Sequence, residues 1–291
     1  MKRLLSIQYA SNLFVHKNDS WKQAQSKLKV GAANHLALLG NIGYPQNPKT
    51  KDFLRWCSDN WKAVYCVPGA VELQDKDNLK GLYTLPSNVH LLDQTEIELP
   101  EGFCLIGAPM WSAWAKAIAE IRQWNETEQY FLVNKSPSQI QFWHEEDVEF
   151  MAERLRYHFA TFGSLRKVIL MTHHLPNSLF LRNNYCKRDL CLYDANISHL
   201  FTKNTVGCLS GAGGHSMTGF VGPHKTFCGV NAAFVGPTMV PNPMYRSDMT
   251  ASFSTSPPPD FEYKPSFVKW SDYLPKPELG ILKTNANPIL L

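Results

Sequence analysis

The chain lacks most of the signatures that assign a function at sight. None of its seven cysteines forms a Cys-x-x-Cys pair, which excludes a zinc ribbon or a thioredoxin-like motif. It has neither a Gly-x-x-x-x-Gly-Lys loop nor a Gly-x-Gly-x-x-Gly turn, the usual cradles for nucleotide phosphates. Ser210 is not the centre of a Gly-x-Ser-x-Gly elbow, because Cys208 and Ala212 flank it. No apolar run approaches the roughly 20 residues that a membrane-spanning helix needs. Charge of one sign is not blocked either. The formal net charge is +4, lysine and arginine are dispersed, and no nucleic-acid-binding motif is present. The start, "MKRLLSIQYASNL", has a basic beginning but no sustained apolar core, so it reads as a first strand rather than a secretory signal.

What is present describes a folded protein. Hydrophobic residues make up 44% and charged residues 19% of 291 positions, enough to bury a large core in one large domain or two small ones. Cys66, Cys104 and Cys208 lie inside apolar runs, where a thiol behaves as a small hydrophobe. The expectation is reduced core cysteines and a cytosolic-type compartment. Cys186 and Cys191 sit beside Lys187 and Arg188, yet neither has an evident catalytic partner.

Short apolar runs alternate with helical patterns. Leu4 to Ala10, Leu36 to Leu39 and Ala63 to Val67 read as strands, with helices between them in 18–34 and 51–61. That order favours parallel strands with helical crossovers. Val89 to Asp93, Phe103 to Pro109, Lys167 to Pro176, and segments at 207–215 and 226–237 read as further strands. Val148, Met151, Leu155 and Phe159 mark a long amphipathic helix that Gly163 ends. Beyond residue 236 the composition changes: ten of the nineteen prolines lie between Pro237 and Pro288, interleaved with Tyr245, Phe253, Phe261, Tyr263, Phe267, Trp270 and Tyr273. This reads as an extended arm that either folds back on its own domain or holds a partner through those aromatics.

Five apolar runs end in polar or Gly-rich loops: Ser11-Asn12, Gly40-Asn41, Pro68-Gly69, Thr172-His173-His174, and Gly211 to His215. In open α/β sheets, ligands sit at such strand ends. The stretches "SNLFVH", "LLGNIGYP", "VPGAVEL", "MTHHLP" and "LSGAGGH" resemble, in order and spacing, the five loops of the calcineurin-like metallophosphoesterase superfamily. In that family these loops read Asp-x-His, Gly-Asp, Gly-Asn-His, a His, and Gly-His-x-His. The text around them, "RWCSDNWKAVYCVPG" and "LIGAPMWSAW", is similar to a small single-domain branch found in large DNA viruses and protists.

The resemblance implies a four-layer α/β/β/α sandwich with two mixed sheets over residues 1–236, followed by the arm at 237–291. It also implies a pair of divalent metals that activate a water for attack on phosphorus. Residue by residue, the chain departs from that chemistry. The first-loop aspartate and histidine fall at Asn12 and Phe14, and the bridging aspartate at Asn41. The third-loop pair falls at Ala70 and Val71, and the fifth-loop pair at Ala212 and Gly214. Only His173 keeps its residue type. Divalent cations of this class want carboxylate oxygens and imidazole nitrogens, and losing even a supporting partner weakens a metal site by about 10- to 100-fold.

The expectation is therefore a protein without catalytic residues or a cofactor, with a structural or scaffolding role among protein partners in a larger assembly. The resemblance points to a virion or capsid-associated assembly. Two alternatives stay open. One is a divergent phosphoesterase with one divalent metal (Zn, Mn or Fe) on His173 and His215, with Asn12 and Asn41 as further ligand candidates. The other is a non-catalytic binder of a phosphorylated ligand. His174, next to His173, is expected to turn away and pack under a loop.

Overall fold

A computed structural model describes residues 4–18, 20–74, 79, 84–99, 102–113, 135–177, 195–211, 220–221, 224, 226–235, 240–242 and 245–255. Strands β1 (Leu4–Ala10), β2 (His35–Leu39), β3 (Ala63–Val67) and β4 (Val89–Leu91) run parallel as neighbours in the first sheet. The second sheet holds β5 (Thr95–Leu99), β6 (Phe103–Ala108), β7 (Lys167–Thr172), β8 (Thr205–Ser210), β9 (Phe220–Val221) and β10 (Phe227–Val230), in the order β5-β6-β7-β8-β10-β9. β6, β7, β8 and β10 are parallel, while β5 and β9 are antiparallel edges. A small ribbon pairs β11 (Phe234–Val235) with β12 (Val240–Pro241), and β13 (Thr250–Ser254) completes the first sheet antiparallel to β1.

Strand periodicity distributes the core. In the first sheet, Ile7, Tyr9, Ala37, Leu39, Tyr65 and Val67 face Leu105, Ile169, Met171 and Leu209 of the second. The alternate residues Ala10, Leu36, Leu38, Val64 and Cys66 face the other way, onto helices. Both faces of each parallel array are therefore covered, which is why these strands read as continuous apolar runs. Each large aliphatic side chain buried this way contributes about 1.5–3 kcal/mol.

Helix α1 (Trp21–Gln25) is shorter than expected, because tight turns replace it before Gly31 at φ +83°. α2 (Pro48–Asn60) starts where the Asn47 side chain accepts from Lys49 N at 2.9 Å. It buries Phe53, Leu54 and Cys57 against the first sheet. α3 (Pro137–Phe162) begins seven residues before the expected start at His144. Ser136 caps it, and Ile140 and Trp143 extend the buried stripe of Met151 and Leu155. Met151 and Leu155 cover the outer face of the second sheet, against Cys104, Ile106, Val168 and Leu170. The layers are thus helix, sheet, sheet, helix, the architecture the resemblance implies.

The compact unit extends to Pro258, past the change of composition at residue 236. Two aromatics of that stretch pack on the domain, in line with the fold-back alternative for this part of it. The Tyr245 hydroxyl donates to the Lys27 carbonyl, and burial pushes its phenol up. Phe253 lies on β13 between the sheets, 6.2 Å from the Phe227 ring. A Cβ on Gly207 would come within 2.3 Å of it, so β8 needs glycine there. The sequence signal was hidden because prolines flank β13 on the tail side, and a five-residue strand of Thr, Ala, Ser and Phe has weak apolar alternation. Phe261, Tyr263, Phe267, Trp270 and Tyr273 lie outside the described residues.

The five described cysteines, Cys57, Cys66, Cys104, Cys208 and Cys228, are free and buried. Burial raises the Cys66 and Cys104 thiols, Cys104 to about 12. Cys186 and Cys191 lie outside the described residues. No helix among the described residues is long and apolar enough to cross a membrane.

Candidate functional site

The exits of β1, β2, β3, β7 and β8 meet at one rim, bound mostly by backbone. Asn12 N donates to Gly40 O, Phe14 N to Asn41 O, and Val15 N to Ile42 O, tying the first loop to the second. Ser11 Oγ donates to Gly211 O at 2.6 Å, and Gly211 N lies 3.0 Å from both Thr172 O and His173 O. A Cβ on Gly211 would sit 1.6 Å from Leu39 O, and one on Gly40 would sit 2.2 Å from His173 Nδ1. Gly211 lets the Leu39 backbone pass close by, and Gly40 leaves room for the His173 ring. Asn12, Phe14 and Asn41 all take left-handed backbone angles, with φ of 53°, 46° and 55°. Asparagine tolerates that region. Phenylalanine does so only under constraint from its surroundings.

The structure brings six of the eight sequence-singled positions together: Asn12, Phe14, Asn41, Ala70, Val71 and His173. All six are buried. Asn41 Nδ2 donates to Asn12 Oδ1 at 3.2 Å, while Asn41 Oδ1 accepts from Val71 N at 3.0 Å. Asn12 Nδ2 donates to Phe234 O at 3.0 Å. Phe14, Ala70 and Val71 join the apolar cluster on the helix side of the first sheet, with Trp111, Trp143 and Ile42. The Phe14 ring packs 6.4 Å from Phe234. His173 Nδ1 lies 2.8 Å from Leu39 O, and the His174 ring packs 5.5 Å from Trp111. His16 is packed against Tyr44, with ring centroids 4.2 Å apart. Burial, with Lys17 and Lys49 nearby, lowers its pKa to about 4. Ala212, Gly214 and His215 lie outside the described residues.

The residue that organises this rim is Glu72, whose role the sequence reading missed. One carboxylate oxygen accepts from Asn41 N at 2.9 Å and Gly69 N at 2.8 Å. The other accepts from Ile42 N at 2.7 Å and Gly43 N at 2.9 Å. Four N–H groups from two loops thus converge on one buried carboxylate, 5% exposed. A signal existed: Glu72 stands three residues after Gly69 and reaches back to its N–H, as in a helix capping box.

These residues do not fit a dinuclear metal centre. The two amides are engaged with each other and with backbone, Phe14, Ala70 and Val71 offer no lone pairs, and Glu72 has both oxygens committed. An amide cannot bridge two cations with shared negative charge as a carboxylate does. Open volume lies beside the rim. A cleft of about 200 Å³ is bordered by Leu73, Asp93, Trp111, Trp143, Glu146 and Asp147. Asp147 accepts from Gln94 Nε2 at 2.9 Å and from Met110 N at 2.8 Å, and burial raises its pKa to about 7. Carboxylates at its edge give this cleft the wrong sign for a phosphate.

No family model matches the chain, and no curated protein matches it. Solved structures do match. The phosphopantetheinyl hydrolase PptH from Mycobacterium tuberculosis superimposes with a TM-score of 0.55 at 13% identity, covering 80% of this chain and 90% of that one. The protein TT1561 of Thermus thermophilus gives a TM-score of 0.50 at 14% identity, covering 79% of this chain and 90% of that one. Identity this low establishes the fold alone, and that fold is metallophosphoesterase-like.

Proposed function

We propose that this chain keeps the metallophosphoesterase framework without its reaction and serves as a structural subunit of a larger assembly. The observation that carries the reading is the closed rim. Asn12, Phe14, Asn41, Ala70, Val71 and His173 pack there as core, and the nearby carboxylate, Glu72, fastens two loops together. A catalytic rim must leave room for a phosphorus centre and an attacking water, whereas among the described loops the Phe14 ring and the Val71 isopropyl group are buried in the apolar cluster. The assembly we favour, by the sequence resemblance, is a virion or capsid.

Two measurements test this. Full-length protein is assayed for phosphodiester hydrolysis with Mn, Zn or Fe supplied, and its native complex is isolated. The expected result is no turnover above the metal-only background, with the chain recovered in stoichiometric complex with other proteins. Metal-dependent turnover that disappears in His173→Asn would overturn the reading in favour of a divergent phosphoesterase. A melting temperature raised by phosphorylated ligands would favour a binding role instead.

A further inference from the structure

We propose that Glu96, Cys104 and His158 form a zinc-binding site on the outer wall of the second sheet, away from the five-loop rim. Glu96 stands on β5, Cys104 on the neighbouring β6, and His158 on α3, which packs over them. Their ligand atoms all lie within 4.8 Å of one another. His158 Nε2 is 3.0 Å from Glu96 Oε2 and 3.4 Å from Cys104 Sγ. Tetrahedral zinc with its usual bond lengths sets N···O and N···S separations of about 3.3 and 3.6 Å. The His158 nitrogen therefore already stands near zinc-bridged separations from both partners, and the carboxylate and thiol close the remaining side within the 4.8 Å group.

The chemistry of the set selects the ion. Sulfur, imidazole nitrogen and carboxylate oxygen together suit zinc and disfavour magnesium or calcium, which want oxygen ligands. On binding, the Cys104 S–H bond breaks, its proton leaves to solvent, and the sulfur lone pair forms the S–Zn bond. Thiolate and carboxylate then balance the two positive charges. Arg154 donates from Nη2 to Glu96 Oε1 at 2.6 Å and from Nε to Oε2 at 2.7 Å. To reach the ion, Oε2 must exchange its bond from Arg154 Nε for the metal, while the Nη2 bond to Oε1 still orients the carboxylate. Cys104 and His158 are fully buried, but the Glu96 side chain is 27% exposed. Entry, and a water in the fourth position, lie on that side.

The inference goes beyond the scaffold reading and is separable from it. Full-length protein is stripped with chelator, dialysed and titrated with zinc, with bound metal measured by elemental analysis. Cobalt(II) serves as a spectroscopic substitute. One equivalent of zinc per chain is expected, along with a thiolate-to-cobalt charge-transfer band. Cys104→Ala should abolish the band and stoichiometric binding, and Glu96→Gln should weaken binding by about 10-fold or more. Glu96 is partly exposed, so its variant keeps the test interpretable if Cys104→Ala folds poorly. His173→Asn should change nothing. Absence of saturable binding, or zinc retained in both Cys104→Ala and Glu96→Gln, would overturn the proposal and leave a hydrogen-bonded network. Zinc lost in His173→Asn alone would contradict this site and the closed rim together.

Discussion

At Glu72 a single buried carboxylate fastens two loops of the rim to each other. Four backbone N–H groups point at it from the second and third loops. Glu72→Gln keeps the shape but offers one acceptor oxygen and turns an NH₂ toward backbone donors. Unfolding in urea should show a loss of about 2–4 kcal/mol, since bonds to a charged acceptor are lost and buried donors go unpaired. Loss of only a few tenths would mean the clamp is incidental. Val71 gives the complementary test. The sequence resemblance would put a histidine at this fully buried position, and Val71→His should destabilise by about 2–4 kcal/mol through crowding and a buried polar group. If Val71→His instead folds as well as the parent and gains metal affinity, the rim is a dormant site and not a packed one.

Elements transmit these local facts. Asp147 couples α3 to the exit of β6 through Met110 N, and its folded-state pKa is raised from 3.8 to about 7 by burial. The unfolded chain therefore releases this proton first as pH rises. The stability Asp147 contributes in its protonated form is complete below about pH 4 and is lost as pH rises through about 7. Asp147→Asn should remove that part of the slope of urea midpoint against pH and gain most above pH 7. An unchanged slope would mean the carboxylate is hydrated. β13 makes a second element-scale prediction. A chain ending after Thr255 should stay folded and monodisperse by light scattering. One ending before Thr250 strips the edge of β1 and the Phe253 packing from the intersheet core, and it should aggregate. Equal behaviour of the two would place β13 outside the folding unit.

At the scale of the molecule, the parallel strands were legible because both faces of each are buried. Leu36 to Leu39, Ala63 to Val67 and Lys167 to Thr172 appear as apolar runs that end at glycine, proline or polar residues. The half-exposed β5 and the tail strand β13 were not legible, since neither carries an apolar run. The convergence of Asn12, Asn41, Val71 and His173 followed from strand order. The closure of the rim did not, because it depends on which side chains cross between loops: Phe14 onto Phe234, and Glu72 across to Asn41. The Glu96, Cys104 and His158 group was invisible for the same reason, having no short-range spacing to announce it.

Whether the rim is a packed junction without a metal centre can be read from anomalous diffraction by crystals of the full chain soaked in manganese and, separately, in zinc. No anomalous peak is expected within coordination distance of Asn41 and His173 in either experiment, and a single zinc peak is expected among Glu96, Cys104 and His158. A manganese or zinc peak bridging Asn41 and His173, with Phe14 or Val71 displaced to admit it, would show that the rim is a metal site.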